Sequence, residues 1–268
     1  MRKRSLRNRV VVITGASSGI GREAARLFGR QGSHVVVAAR RRERLEELAS
    51  ELGAAGAQCL AVPTDVGRQD QVQRLLDATL EHFGRVDVWV NNAGAGLAGP
   101  IEATTLEDLQ QILDVNFMGV FHGCHAALQQ MRRQEGGHII NVSSLITRFP
   151  LPFHGAYTAA KCAVNGLTQA LAMELEGSGI HVSLILPGVT DTEFTDAMVR
   201  RMEDARGGPA IPSASAEHVA RVIVRCAIKP RPVVMCVPAA PVLTAFFDLF
   251  PGVWRMVARR YRSVRSGN

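Results

Sequence analysis

The chain has 268 residues, 47% of them apolar, which suffices for one large core, and a doubly wound sheet commonly uses this length as one domain. Its formal charge of +7 invites a polyanionic partner, but ten cations sit in acid-free ends: Arg2, Lys3, Arg4, Arg7 and Arg9, then Arg255, Arg259, Arg260, Arg262 and Arg265. The remaining 21 cations face 24 acids, a net −3, so the body of the protein is not a nucleic-acid binder by composition.

The basic first nine residues lead straight into Val10 to Ile13, a β-branched run without polar interruption, and not into the apolar stretch and cleavage site of a signal peptide. A cytoplasmic location is expected. Val10 to Ile13 reads as a strand buried on both faces of a parallel sheet. It ends in Thr14-Gly15-Ala16-Ser17-Ser18-Gly19-Ile20-Gly21, followed by a helical pattern through Ala24, Ala25 and Phe28. Glycines at such a strand-to-helix junction let the backbone approach a pyrophosphate, whose charge meets the free N–H groups of the helix N-terminus.

His34 to Ala38 is a second strand. An acid near its end binds a free ribose 2′-hydroxyl, but Ala39 stands there and Arg40, Arg41 and Arg42 follow. A guanidinium forks onto a 2′-phosphate, so the pattern favours NADP, with Arg40 as the phosphate ligand, Arg41 a second candidate and Arg42 solvated. Gln58 to Val62 is a third strand. Asp65 and Val66 at its end either bracket an adenine ring or, for the aspartate, cap the helix that follows. Val86 to Val90 is a fourth strand, closed by Asn91-Asn92-Ala93-Gly94, small and amide-rich as a backbone beneath a cofactor should be. The helix after Thr105 carries Leu109, Ile112, Leu113, Phe117 and Val120, with Asn116 at an inward position where its amide needs partners or kinks the helix.

His138 to Val142 is a fifth strand delivering Ser143 and Ser144. His181 to Leu186 is a sixth, ending in Pro187-Gly188-Val189-Thr190-Asp191-Thr192. Residues 193 to 214 read as a mobile lid. A last helix (Val219, Val222, Ile223, Cys226) and a strand from Val233 to Val237 complete a Rossmann-like, doubly wound parallel α/β sheet of about seven strands with helices on both faces. Each strand thus delivers a polar or glycine-rich motif at its C-terminal end, where ligands bind in such sheets. The five cysteines form no Cys-x-x-Cys pair and read as reduced core residues.

Between the fifth and sixth strands lies Tyr157-x-x-x-Lys161, with Ser144 upstream. With two tyrosines and three lysines in the chain, that spacing arises by chance roughly 0.02 times. Residues i and i+4 share a helix face, so the Lys161 ammonium is placed to lower the Tyr157 phenol pKa and make it an acid or base near neutral pH.

Thr14 to Gly21, Asn91 to Gly94, Asn116, Ser144, Tyr157-x-x-x-Lys161 and Pro187-Gly188 with Thr192 together resemble, in order and spacing, the short-chain dehydrogenase/reductase family in its compact single-domain branch. The resemblance covers roughly residues 8 to 237. It implies that Tyr157 is the general acid/base, Ser144 holds the same substrate oxygen, Lys161 binds the nicotinamide ribose and Asn116 anchors a water in the proton relay. Pro187, Val189 and Thr192 would orient the carboxamide. No metal is implied. The expected function is hydride transfer between NADP(H) and a ketone or secondary alcohol; a regulatory or scaffold protein that binds NADP(H) with little turnover is the alternative. Phe149, Leu151, Phe153 and His154 suggest an apolar substrate wall with one polar feature, with an exposed His154 the favoured alternative.

Residues 1–237 are expected to form this domain, with 238–268 an apolar and basic extension packed on it. Phe246, Phe247, Leu249, Phe250, Val253, Trp254, Met256 and Val257 precede or interleave with five arginines. The extension closes over the pocket, makes an oligomer contact or lies on a membrane surface. A fold across a subunit boundary is favoured, because Pro251-Gly252 interrupts a continuous interfacial helix. The longest uncharged run, Pro232 to Phe247, is shorter than the roughly 20 residues of a spanning helix. A homodimer or tetramer is expected through the helices at 105 to 131 and 157 to 176, with Phe117, Phe121, Leu167 and Leu171 as apolar contact area.

Overall fold

A computed structural model describes residues 4–202 and 213–265, with side chains through Arg259. Arg2 and Lys3, residues 203–212 of the expected lid, and the side chains of Arg260, Arg262 and Arg265 lie outside the described residues. Seven parallel strands form the central sheet: β1 (Val10–Thr14), β2 (His34–Ala39), β3 (Cys59–Pro63), β4 (Val88–Asn91), β5 (Gly137–Val142), β6 (Ile180–Leu186) and β7 (Val233–Met235). Their order across the sheet is β7-β6-β5-β4-β1-β2-β3. The order reverses between β1 and β4, and that switch opens a crevice at the strands' carboxyl ends.

Alternation along β1 shows why both faces had to be apolar. Val11 and Ile13 join one core with Phe28, Leu45 and Leu48, while Val10 and Val12 join the other with Leu75, Trp89 and Val120. The first core is covered by α1 (Gly19–Arg30), α2 (Arg42–Ala54) and α7 (Ala216–Ile228). The second is covered by α3 (Gln69–Phe83), α5 (Gly119–Arg133) and α6 (Gly155–Glu174).

Several boundaries differ from the sequence reading. β4 begins at Val88, but its backbone pairing reaches back to Asp87, whose amide donates to Val10 O and whose carbonyl accepts from His138 N, both at 2.9 Å, while its carboxylate pairs with Arg9 and Arg85. β7 ends at Met235, although its pairing with β6 continues one bond further, from Cys236 N to Leu186 O at 3.0 Å. The helix expected after Thr105 is split: α4 (Leu106–Leu113) passes through a π-helical turn, Asp114–Met118, into α5. Two short parallel ladders stand apart from the central sheet, Leu97–Ala98 with Val199–Arg200 and Thr190–Asp191 with Ala214–Ser215. They tie both described ends of the lid to the body. All five cysteines are free, but Cys162 is exposed and not in the core.

The extension forms two helices, α8 (Ala240–Leu249) and α9 (Pro251–Arg265), because Phe250 leaves the helical conformation and Pro251 cannot continue it. Phe149 packs against Phe247 and Trp254, and the Trp254 indole donates to Pro150 O at 3.2 Å.

Candidate active site

The crevice begins at the loop between β1 and α1. Gly15 and Gly19 take left-handed backbone at φ +68° and +53°. A Cβ at Gly15 would lie 2.7 Å from Ala93 Cα, and one at Gly21 2.4 Å from Gly15 O, so neither position admits a side chain. Asn92 staples the loop to β4: its side-chain amide donates to Thr14 O at 3.0 Å, and its backbone amide to Thr14 Oγ1 at 3.0 Å. Ser18 caps α1 in position only, since its hydroxyl makes no bond to the first-turn N–H groups. Those donors are left for an anion.

The Ser17 and Ser18 hydroxyls instead accept from Arg41, at 3.0 and 2.8 Å. The same guanidinium pairs with Glu193 at 2.9 Å. Arg41 therefore joins the glycine loop to the lid, a role not visible in three consecutive arginines. Arg40 lines a cleft of about 560 Å³ together with Asp65, Gly67 and Gln111. Arg42 opens α2 and pairs with Glu46 one turn on. Asp65 is not the cap of α3, whose N-cap is Arg68; its carboxylate accepts from Gly67 N at 3.0 Å and shapes the turn. Val66 is buried, its carbonyl bonded to His122.

Beyond the loop stand the chemical groups. Ser144 follows β5, and Tyr157 stands in the first turn of α6, close enough for the serine hydroxyl to act on the phenol. Lys161, one turn further, is 3% exposed and donates to Val142 O at 3.2 Å, with its Nζ 5.9 Å from the Tyr157 ring centre. Burial pushes the phenol up to about 12, with Ser144 drawing it back, and pushes the lysine down to about 8. The expected lowering of the tyrosine by the lysine is therefore absent here: the ammonium is aimed at a carbonyl, and loss of solvent dominates both groups.

Asn116 occupies the π-helical turn, fully buried. Its amide donates to Ala95 O at 2.9 Å and Ile112 O at 3.1 Å, and its oxygen accepts from Ala95 N at 3.2 Å. The amide thus both satisfies the broken helix and fixes the strand-end backbone. A Cβ at exposed Gly94 would lie 3.1 Å from the Asn116 oxygen and 3.6 Å from Lys161 Nζ, which places these groups around one space.

Pro187 O accepts from Leu145 N at 2.7 Å, joining the ends of β5 and β6. Val189 is 44% exposed, and Thr192 contacts the space at Gly19 while its hydroxyl caps the turn Glu193–Asp196. Ile20 is half-buried at the start of α1. Phe194 on the Glu193–Asp196 turn packs on Tyr157 with ring centres 6.0 Å apart, and Arg201 forks onto Asp108 at 2.7 Å. Neither contact was legible in the sequence, because an irregular lid has no periodicity to read. His154, expected to be exposed, is buried.

These features define a class: a dinucleotide-binding α/β fold with a hydroxyl pair and a buried lysine at its strand ends. The chain matches the short chain dehydrogenase family over residues 9–203. It is 40% identical to 3beta-hydroxysteroid dehydrogenase 1 of Eggerthella lenta over 189 residues, 70% of this chain and 72% of that protein. A short chain dehydrogenase/reductase from Burkholderia phymatum in complex with NAD superposes with a TM-score of 0.84 at 31% identity, over 93% of this chain and 96% of that one. An alcohol dehydrogenase from Thermococcus sibiricus complexed with 5-hydroxy-NADP gives 0.74 at 30%, over 85% and 95%. The protein belongs to the short-chain dehydrogenase/reductase family and is an oxidoreductase of that family.

Proposed function

We propose that the protein transfers a hydride between NADP(H) and a ketone or secondary alcohol. The observation that carries this reading is the buried Tyr157 phenol within reach of the Ser144 hydroxyl, with the buried Lys161 ammonium 5.9 Å from its ring centre. The crevice fits a dinucleotide on its own terms: a cradle closed to any Cβ at Gly15 and Gly21, and an α1 N-terminus without a side-chain cap. Gly15, Ser17, Ser18, Gly19, Ile20 and Gly21 would hold the pyrophosphate, Asp65 and Val66 the adenine, and Asn92, Pro187, Val189 and Thr192 the nicotinamide half. Arg40 and Arg41 supply the cation for a 2′-phosphate.

The nicotinamide, when bound, supplies or accepts the hydride at the substrate carbon. Tyr157 gives its phenol proton to the carbonyl oxygen in reduction and takes it back in oxidation. With burial holding its pKa up at about 12, the phenol stays protonated across the physiological range. Ser144 holds the same oxygen, and two hydroxyls supply the polarisation. Lys161 would meet the ribose, and Asn116, through the backbone it fixes, would position a relay water. Phe194 over Tyr157 excludes solvent, and Phe149 with the aromatic extension presents an apolar wall, which suits a substrate of medium size and low polarity.

The same reading takes the chain to be a homo-oligomer, pairing through α5 and α6, where Phe121 and Met173 remain 43% and 71% exposed while Leu171 is used by the core. Activity is tested by screening ketones and secondary alcohols with NADPH and NADH in parallel. Turnover preferring NADPH is expected; cofactor binding without turnover of any carbonyl or alcohol would favour a regulatory role.

A further inference from the structure

The extension is apolar on two sides and buried on only one. Ala240 and Thr244 of α8 face the body, and Phe247 and Trp254 close on Phe149. The outward side carries Val242 (74% exposed), Phe246 (44%), Leu249 (76%) and Phe250 (54%), then Met256 (66%) and Val257 (47%). Val242, Phe246 and Leu249 recur at i, i+4 and i+7, so they form one stripe and not scattered exposures. A soluble surface rarely keeps so many large apolar groups together without an occupant.

Charge identifies the occupant. After Asp248 the chain contains five arginines and no acid. Arg255 and Arg259 stand one turn apart on α9 and are exposed, with no ion-pair partner among the described residues. A second copy meeting this face across a two-fold axis would set the same arginine-rich patch against itself, with Asp248 the single described acid of residues 240–259 to answer Arg255 and Arg259. Nucleic acid would satisfy the arginines but leave Val242, Leu249 and Met256 with nothing apolar to cover them. A bilayer bearing anionic headgroups satisfies both halves, taking the apolar stripe into the acyl boundary and the guanidiniums at the phosphates. No helix among the described residues is long and apolar enough to cross a membrane, so the contact is with one leaflet.

We propose that the outer face of residues 240–259 is a docking surface for an anionic lipid bilayer. The Trp254 bond to Pro150 and the aromatic packing on Phe149 hold this face on the body, with its apolar stripe presented outward. Docking needs neither cofactor nor turnover, so it stands or falls apart from the enzymatic reading.

The test is co-sedimentation of the full-length protein with vesicles of phosphatidylcholine alone and of phosphatidylcholine with phosphatidylglycerol. Pelleting is expected with the anionic vesicles only. Arg255→Glu with Arg259→Glu, and separately Leu249→Ser with Phe250→Ser, should each lower partitioning roughly tenfold or more, with an unchanged circular-dichroism spectrum and melting temperature as the check on folding. Absence of pelleting with anionic vesicles overturns the proposal. So does undiminished pelleting of the Leu249/Phe250 variant, which would make the contact purely electrostatic, or a fall in that variant's mass by light scattering, which would make the face a contact between copies. Should that variant fail to fold, wild-type protein bound to anionic vesicles is challenged with rising salt. Partial retention supports insertion, and complete release overturns it.

Discussion

At the scale of single residues, the site was most legible where chemistry requires one residue type. Tyr157, Lys161 and Ser144 announce themselves because a phenol, an amine and a hydroxyl at fixed spacing have few other uses together. The arginines were not separable by sequence, since which one reaches the glycine loop depends on where α2 begins. With Arg41 as its N-cap, Arg40 falls toward the Asp65 cleft and Arg41 toward Ser17 and Ser18. If both serve a 2′-phosphate, Arg40→Ala and Arg41→Ala should each lose about 1.5 to 3 kcal/mol of NADPH binding, as for a hydrogen bond to a charged group, with little change for NADH. Glu193 competes for Arg41, so Glu193→Gln should tighten NADPH by up to about fivefold, the limit set by an exposed ion pair. Dissociation constants measured by fluorescence titration check all three. Equal losses for both cofactors would take the arginines away from the phosphate.

At the scale of elements, the strands were readable from β-branched runs, and their register follows from burial on both faces. The π-helical turn at Asp114–Met118 was not readable: apolar spacing across α4 and α5 looks continuous, and only the Asn116 bonds to Ala95 reveal why the ladder breaks. The pairing of β5 with β6 hides a pH dependence. His138 on β5 is 1% exposed, bonds Ser183 on β6 through Nε2, and faces His181 and Arg4. Burial first, then those two cations, hold its pKa down at about 3. Between pH 6.5 and 3 the unfolded chain binds a proton at this site that the folded chain does not, so stability falls as pH falls through that window. His138→Gln should flatten the acid limb of a melting-temperature profile while keeping the Ser183 bond. A profile unchanged in slope below pH 6.5 would remove His138 as the source.

For the whole molecule, the sheet reversal between β1 and β4 gathers loops from distant parts of the chain at one edge, and the lid closes over them through Arg41–Glu193, Phe194–Tyr157 and Arg201–Asp108. Arg201 holds the Asp108 carboxyl at about 2, so this clasp stays charged at any ordinary pH. The family and the fold followed from the joint order of motifs, whereas no motif marks a substrate, because side-chain type in irregular segments such as 145–156 does not determine geometry. The central claim is that Tyr157 is the proton donor and acceptor in a cofactor-dependent hydride transfer. The direct test is Tyr157→Phe, with kcat measured on an accepted carbonyl substrate and the NADPH dissociation constant measured alongside. A loss of at least about 100-fold in kcat with cofactor affinity held within a few-fold is predicted, as for removal of a general acid; retention of more than about a hundredth of wild-type kcat would contradict it.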